Sequence, residues 1–310
     1  MAFCFGYNDK DPQGVDTLMF SKLTPVFDTS PRELLLFQHF PVLKAMVGIL
    51  ARIFPQAAPD GILALQRLAR QRLHSSDNSG DPTKAGLFAE MKRLASMKDQ
   101  TLSEEEIIAE SIVMFFAGTD TTASVISVGL WHLLQRPSLY KRLQQELAPV
   151  MPDINSRPSL EELESLPLLD ACVKEGLRIT CPVRGRSPRI VPPGGLQVGK
   201  VFLPPGTVVS NNLSFMCFDE QIFPQPLEYR PERWLSGDTK LLDEAFYPFL
   251  RGSRQCIGQT LSLIEQRIAL AQFVRRFSPP EEHPSHELRW KEYTTLVIEE
   301  DLTVQLGIAK

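Results

Sequence analysis

The stretch FLRGSRQCIGQ, Phe249 to Gln259, sets one cysteine among glycines and arginines, just upstream of a run with helical spacing. A free cysteine is most often a small buried hydrophobe. The surroundings of Cys256 point elsewhere: Gly252 and Gly258 flank it and permit a tight loop whose backbone can approach a flat ligand. The helix start that follows, with its unpaired N–H groups and dipole, favours thiolate over thiol. A thiolate serves as nucleophile or as metal ligand. A nucleophile needs a general base, and the five histidines (His39, His74, His132, His283, His286) form no recognisable partner motif. A metal ligand needs none.

The elements that must position Cys256 can be read along the chain. Its 310 residues, 43% hydrophobic and 23% charged, have an ordinary globular composition. A net charge of −4 and a pI near 5.8 argue against nucleic acid as a partner, since that surface needs clustered Lys and Arg. The cysteines (Cys4, Cys172, Cys181, Cys217, Cys256) are odd in number and lack CxxC spacing. Neither a disulfide framework nor a structural zinc site is expected, and a reducing compartment is favoured. The opening MAFCFGYNDKDPQGVD has no charged segment leading into a long apolar core, so no signal peptide or transmembrane anchor is expected there. Leu34–Phe54 is apolar but broken by Pro41, Lys44 and Arg52, which argues against a span of about 20 apolar residues. Two readings stand for it: two helices meeting near Pro41, or a segment that contacts a membrane surface or lines a hydrophobic entrance.

His74–Gly86 is polar and rich enough in Gly and Pro to be a loop. Beyond it, Ser103 and Glu106 have capping-box spacing and Arg136-Pro137 supplies a stop, predicting a helix of about 32 residues. From Ile107 to Leu134 this helix is apolar nearly all round, so central burial is expected; Glu110 and Asp120 argue against lipid. Further helices are predicted at Ser138–Val150, after a second capping box at Ser159/Glu162, and near Leu168–Ile179. GGLQVGKVFLPPGTVVSNN then has short β-rich runs, with Pro205-Gly206 suited to a type II turn. Proline-rich coil follows, and helical spacing returns after Cys256. The fold class is mainly α with a small antiparallel β part.

Position by position, Phe249-x-x-Gly252-x-Arg254-x-Cys256-x-Gly258 resembles the haem-binding signature FxxGxRxCxG of cytochromes P450. The resemblance implies that Cys256 is the axial thiolate of the haem iron, that Arg254 pairs a haem propionate and that Phe249 packs near the thiolate. AGTDTT (Ala117–Thr122) is similar to the family's oxygen-activation motif. Helical threonines often bond back to the preceding turn. Gly118 and an acid inside an apolar helix are each unfavourable, however, which supports a functional groove. By resemblance, Thr121 hydrogen-bonds the oxygen being activated and Asp120 helps relay protons, a general-acid task. Glu175 and Arg178 in KEGLR match ExxR; alone, such a pair at i and i+3 is worth a few tenths of a kcal/mol on a surface. Arg233 in PERW matches the arginine that joins it, so Glu175, Arg178 and Arg233 are implied to form a buried structural cluster. In CPVRGRSPRIVPP, Arg186 is chosen for a second propionate contact, with Arg184 and Arg189 as neighbouring rivals. Val113, Phe116, Ala117, Pro182, Val183, Thr294 and Thr295 lie where the family lines its substrate pocket, implying an apolar substrate.

The chain thus resembles a single P450 domain of the microsomal fungal secondary-metabolism type that lacks its N-terminal part. Residues 1–100 would form a helical access or lid region and 101–310 the haem-binding core. MCFD (Met216–Asp219) lacks the histidine often found there. The implied cofactor is haem b, iron protoporphyrin IX, with electrons from NADPH through NADPH-cytochrome P450 reductase. The implied activity is a monooxygenase that inserts one atom of O2 into an apolar small molecule. The full-length type would lie on the cytosolic face of the endoplasmic reticulum membrane. The rival is a non-catalytic remnant that keeps the motifs without holding haem.

Overall fold

A computed structural model of the protein describes residues 36–37, 40–54, 66–67, 69–70, 73, 86–97, 101–235, 237, 239–279, 288–293, 295–299, 304 and 306–308. The chain divides into two compact units, residues 1–120 and 121–310.

In the first unit, α1 (Pro41–Ile53) opens with proline at its first position, where the missing N–H is no loss. The broken apolar run therefore resolves into a helix that starts at the break. Val42, Met46, Ile49, Leu50 and Ile53 on it are exposed. α2 (Leu87–Ser96) and the start of α3 (Glu104–Leu134) contribute to a small core of Ala69, Leu73, Ile107 and Ile108, with Met91 and Ile112 against it.

α3 begins as its sequence predicts. Ser103 N donates to Glu106 Oε2 at 2.9 Å and Glu106 N to Ser103 Oγ at 3.2 Å, which also holds the Glu106 carboxyl below its usual range. Its 31 residues agree with the expected length. Burial does not: Val113 is 59% exposed and Ala117 and Gly118 are exposed, whereas Val125, Val128, Leu133 and Leu134 are buried. An apolar surface all round removes the polar stripe by which a sequence marks which face meets solvent. Among the described residues, α3 is the one helix long and apolar enough to cross a membrane, but its C-terminal half is core.

That half joins the core of the second unit. There α9 (Gln259–Arg276) packs against α4 (Pro137–Leu147), α5 (Leu160–Glu164, capped by the predicted Ser159/Glu162 box) and α6 (Pro167–Thr180). Leu143, Leu147, Leu169 and Val274 are fully buried in one apolar cluster with the end of α3. Each stabilises the fold by about 1.5–3 kcal/mol. α6 crosses α3 at a glycine: a Cβ on Gly176 would stand 3.7 Å from Val125 O and 3.8 Å from Gly129 Cα. Among the described residues, four two-stranded antiparallel sheets complete the unit: β1 (Ser187–Ile190) with β4 (Val208–Asn211), β2 (Leu196–Val198) with β3 (Val201–Leu203), β5 (Phe277–Ser278) with β8 (Gly307–Ile308), and β6 (Trp290–Glu292) with β7 (Leu296–Ile298). The Pro205-Gly206 turn has Gly206 at φ 81° and Thr207 N bonded to Pro204 O at 3.2 Å, as a type II turn requires. Between β4 and α9 come two short helices, α7 (Leu213–Cys217) and α8 (Lys240–Ala245).

Near the end of α3, His132 stacks on Tyr229 with ring centroids 4.9 Å apart, and Arg136 donates to its carbonyl at 3.0 Å. Burial, together with the charges of Arg136 and Arg178, lowers its pKa to about 3. Above an unfolded pKa of about 6.5 the ring is neutral in both states; below it only the unfolded chain takes the proton, so stability falls as pH falls. Between pH 7 and pH 5, His132 should cost about 2 kcal/mol of stability. Denaturant titrations at the two pH values should show that drop shrinking by about this amount in His132→Phe, which keeps the stack but cannot protonate.

Candidate functional site

Cys256 sits on a loop shaped by its main chain. Cys256 N donates to Phe249 O at 2.8 Å and Gln255 N to Gly252 O at 3.0 Å. Leu250 (φ 62°) and Gly252 (φ 77°) take the left-handed conformation. Gly252 adopts it freely, with nothing within 4 Å of where a Cβ would lie, while Leu250 is strained there. Phe249 packs against the main core and anchors the loop. Among the described cysteines, Cys172, Cys181 and Cys217 are buried and Cys256 is exposed. Burial pushes the Cys172 thiol up to about 12, so it stays protonated at neutral pH. A Cβ at Gly258 would make ordinary contact with Cys256 Sγ at 3.8 Å, so this glycine lies directly beside the sulfur. Arg254 and Arg186 are exposed.

A buried charge cluster on α6 gathers the segment from Cys217 to Trp234. Glu175 and Arg178 on α6 are fully buried and Arg233 is nearly so. Arg178 bonds Glu175 through Nε at 3.0 Å and Nη2 at 2.8 Å; its other N–H groups reach Cys217 O, Pro226 O and Glu228 O at 2.8, 2.7 and 3.1 Å. Arg233 Nε reaches Glu175 Oε1 at 3.1 Å. Burial lowers the Arg233 pKa and the Glu175 charge opposes it; an arginine remains protonated regardless. Two partners went unforeseen: Arg230 N at 2.9 Å and the indole Nε1 of Trp234 at 2.8 Å, both donating to Glu175. The tryptophan of PERW was the available signal, because a buried indole N–H needs an acceptor.

The structure separates the three arginines after α6. Arg184 is buried, bonds Thr180 O at 3.0 Å, pairs with Glu292, and lies between the rings of Phe218 and Trp290, each 5.2 Å away. It is committed to holding β6 to the end of α6, while Arg186 and Arg189 are exposed. At the position noted for its missing histidine, Met216 Sδ accepts from the Tyr247 hydroxyl, which accepts from Asn211 Nδ2 at 3.1 Å. Of the pocket candidates, Val113 and Ala117 are exposed and Phe116 is half-buried with its ring edge-on to Phe115. Asp120 and Thr121 are half-buried on α3, on either side of the division between the units. Leu296 N donates to Pro182 O at 2.9 Å, which brings Pro182 and Val183 beside Thr295. The Thr295 hydroxyl is buried without a partner among the described residues. Thr294 lies outside the described residues.

The family model of cytochrome P450 matches residues 1–302. The chain belongs to the cytochrome P450 family. It is 36% identical over 238 residues to the cytochrome P450 monooxygenase aflU of Aspergillus parasiticus, covering 74% of this chain and 47% of that protein. It is 36% identical over 220 residues to the cytochrome P450 monooxygenase cloA of Claviceps purpurea, covering 69% of this chain and 43% of that protein. A cloA from Claviceps fusiformis described as inactive is 38% identical over 191 residues, covering 60% of this chain and 37% of that protein. The chain thus spans less than half the length of these curated P450 relatives.

Haem is the cofactor of P450s, and the donor set here fits it. One exposed thiol stands on a glycine-opened loop, exposed guanidiniums at Arg254 and Arg186 suit two propionates, and no group of three His, Cys, Asp or Glu among the described residues could hold a bare ion. Replacing Glu175 by Gln leaves the Arg178 and Arg233 charges buried without a counter-charge. That should lower the unfolding free energy by roughly 3–5 kcal/mol, measured by urea denaturation.

Proposed function

We propose that this chain is the haem-binding part of a monooxygenase that inserts one atom of O2 into an apolar small molecule. An NADPH-dependent reductase would supply two electrons and the second oxygen atom would leave as water. The reading is carried by Cys256, an exposed thiol on a main-chain-closed loop just ahead of α9, while the other described cysteines are buried. Haem bound there supplies the oxygen chemistry, which is the cofactor's own.

The protein's residues take the remaining tasks. The Cys256 thiolate holds the iron, Arg254 and Arg186 pair the propionates, and Phe249 and Gly258 shape the sulfur's surroundings. Glu175, Arg178 and Arg233 hold the segment ahead of the loop, which is a structural rather than a catalytic role. Thr121 would donate a hydrogen bond to the oxygen being activated, and Asp120 would help relay protons. Val113, Phe116, Ala117, Pro182, Val183, Thr294 and Thr295 border the substrate, and their mainly apolar chemistry selects an apolar one. The exposed apolar side chains of α1 support peripheral contact of Leu34–Phe54 with the cytosolic face of a membrane such as the endoplasmic reticulum.

A reduced CO-difference spectrum of the 310-residue chain tests the reading. The red-shifted Soret band that gives the family its name should be present and should vanish in Cys256→Ala. A chain without bound haem would instead favour the remnant that keeps the motifs alone. Thr121→Ala should keep the band but divert NADPH electrons from product to peroxide; an unchanged product yield per NADPH would remove Thr121 from proton delivery.

A further inference from the structure

Between α3 and α9 runs a polar thread through an apolar contact. Thr122 Oγ1 lies 3.0 Å from Ser262 Oγ, and Gln266 Nε2 donates to the same Ser262 oxygen at 2.9 Å. Thr122 is 6% exposed and Gln266 only 1%. Val125, Val128, Leu270 and Ala271 on the same two helices are buried in the apolar core. Gln266 Oε1 is buried with no partner among the described residues, so Ser262 is the anchor of that amide. At its other end the thread meets the site: Thr122 follows Thr121 directly, and Ser262 N is bonded to Gly258 O at 2.9 Å, two residues past Cys256.

We propose that Ser262 is a positioning residue whose hydroxyl sets the rotation and axial register of α3 on α9, and with it the place of Thr121 relative to Cys256. Apolar side chains slide past one another at little cost. Thr122 and Gln266, both buried and both bonded to the half-buried Ser262 hydroxyl, do not, because a shift strands them in apolar surroundings. A single buried polar residue fixes the register of coiled helices in the same way. The amide of Gln266 donates to Ser262 Oγ, and the Ser262 and Thr122 hydroxyls share a second hydrogen bond in which either oxygen can be the donor. Thr122 in turn fixes how far Thr121, the next residue around the helix, is rotated away from α9. The link to Thr121 rests on the function proposed above.

Two measurements on the 310-residue chain test this. In the haem-free protein, Ser262→Ala should accelerate amide hydrogen exchange across residues 118–125 by about three- to tenfold, the loss of one hydrogen bond, and Ser262→Thr should restore protection. In the haem-loaded protein, Ser262→Ala should leave the CO-difference band intact but raise the share of NADPH electrons lost as peroxide, with Ser262→Thr again restoring coupling. Unchanged exchange in Ser262→Ala would overturn the register claim. Faster exchange with no rise in peroxide would overturn the link to Thr121. If the parent chain binds no haem, the proposed function fails, while the exchange experiment still decides the register.

Discussion

One carboxylate with no solvent exposure, that of Glu175, constrains most of the second unit. An ionised group at that depth is tolerated only if its oxygens are filled with donors. Arg178, Arg230, Arg233 and Trp234 fill them, so residues 230–234 must return to α6. Arg178 extends the constraint by gathering the carbonyls of Cys217, Pro226 and Glu228. A largely irregular stretch is thereby fixed without a strand or a long helix. Trp234 carries the constraint onward, its ring 4.9 Å from that of Phe246, where the chain turns toward the cysteine loop.

The cluster holds two guanidiniums against one carboxylate, and the surplus positive charge is felt nearby. Arg178 is among the charges that keep His132 unprotonated, on a ring already stacked against Tyr229. Tyr229 in turn donates to Cys172 O at 3.0 Å on α6, so the histidine, the tyrosine and the cluster helix form one continuous contact. The end of α3 and the segment from Cys217 to Trp234 are held by the same group of side chains.

The family and the mainly α architecture were legible in the sequence because the signature around Cys256 and the capping boxes are local. Ser103 with Glu106 and Ser159 with Glu162 place helix starts within a few residues, and both boxes form. What the sequence hides is non-local. The exposure of Val113 and Ala117 was misread because a helix apolar on every side gives no hint of which side stays open. Arg184 and Arg186 are the same residue type two positions apart, and the approach of Glu292, Trp290 and Phe218 to Arg184 sets its surroundings apart. The carbonyls that hold Arg178 have no letter in a sequence at all. The Thr122–Ser262 contact joins residues 140 positions apart, and neither residue type announces the other.

The cysteine loop is closed by Cys256 N on Phe249 O and by Gln255 N on Gly252 O, both main chain to main chain. Side chains add ties of their own: Arg251 bonds Asp243 O at 3.2 Å and Glu244 O at 3.0 Å and lies over the Tyr247 ring, and Gln255 donates to Gln259 Oε1 at 2.7 Å. The sulfur is therefore located mainly by backbone torsions and by the half-buried ring of Phe249, with Arg251 and Gln255 tying the loop to its neighbours. Ser253, exposed between them, can change without moving the thiol itself.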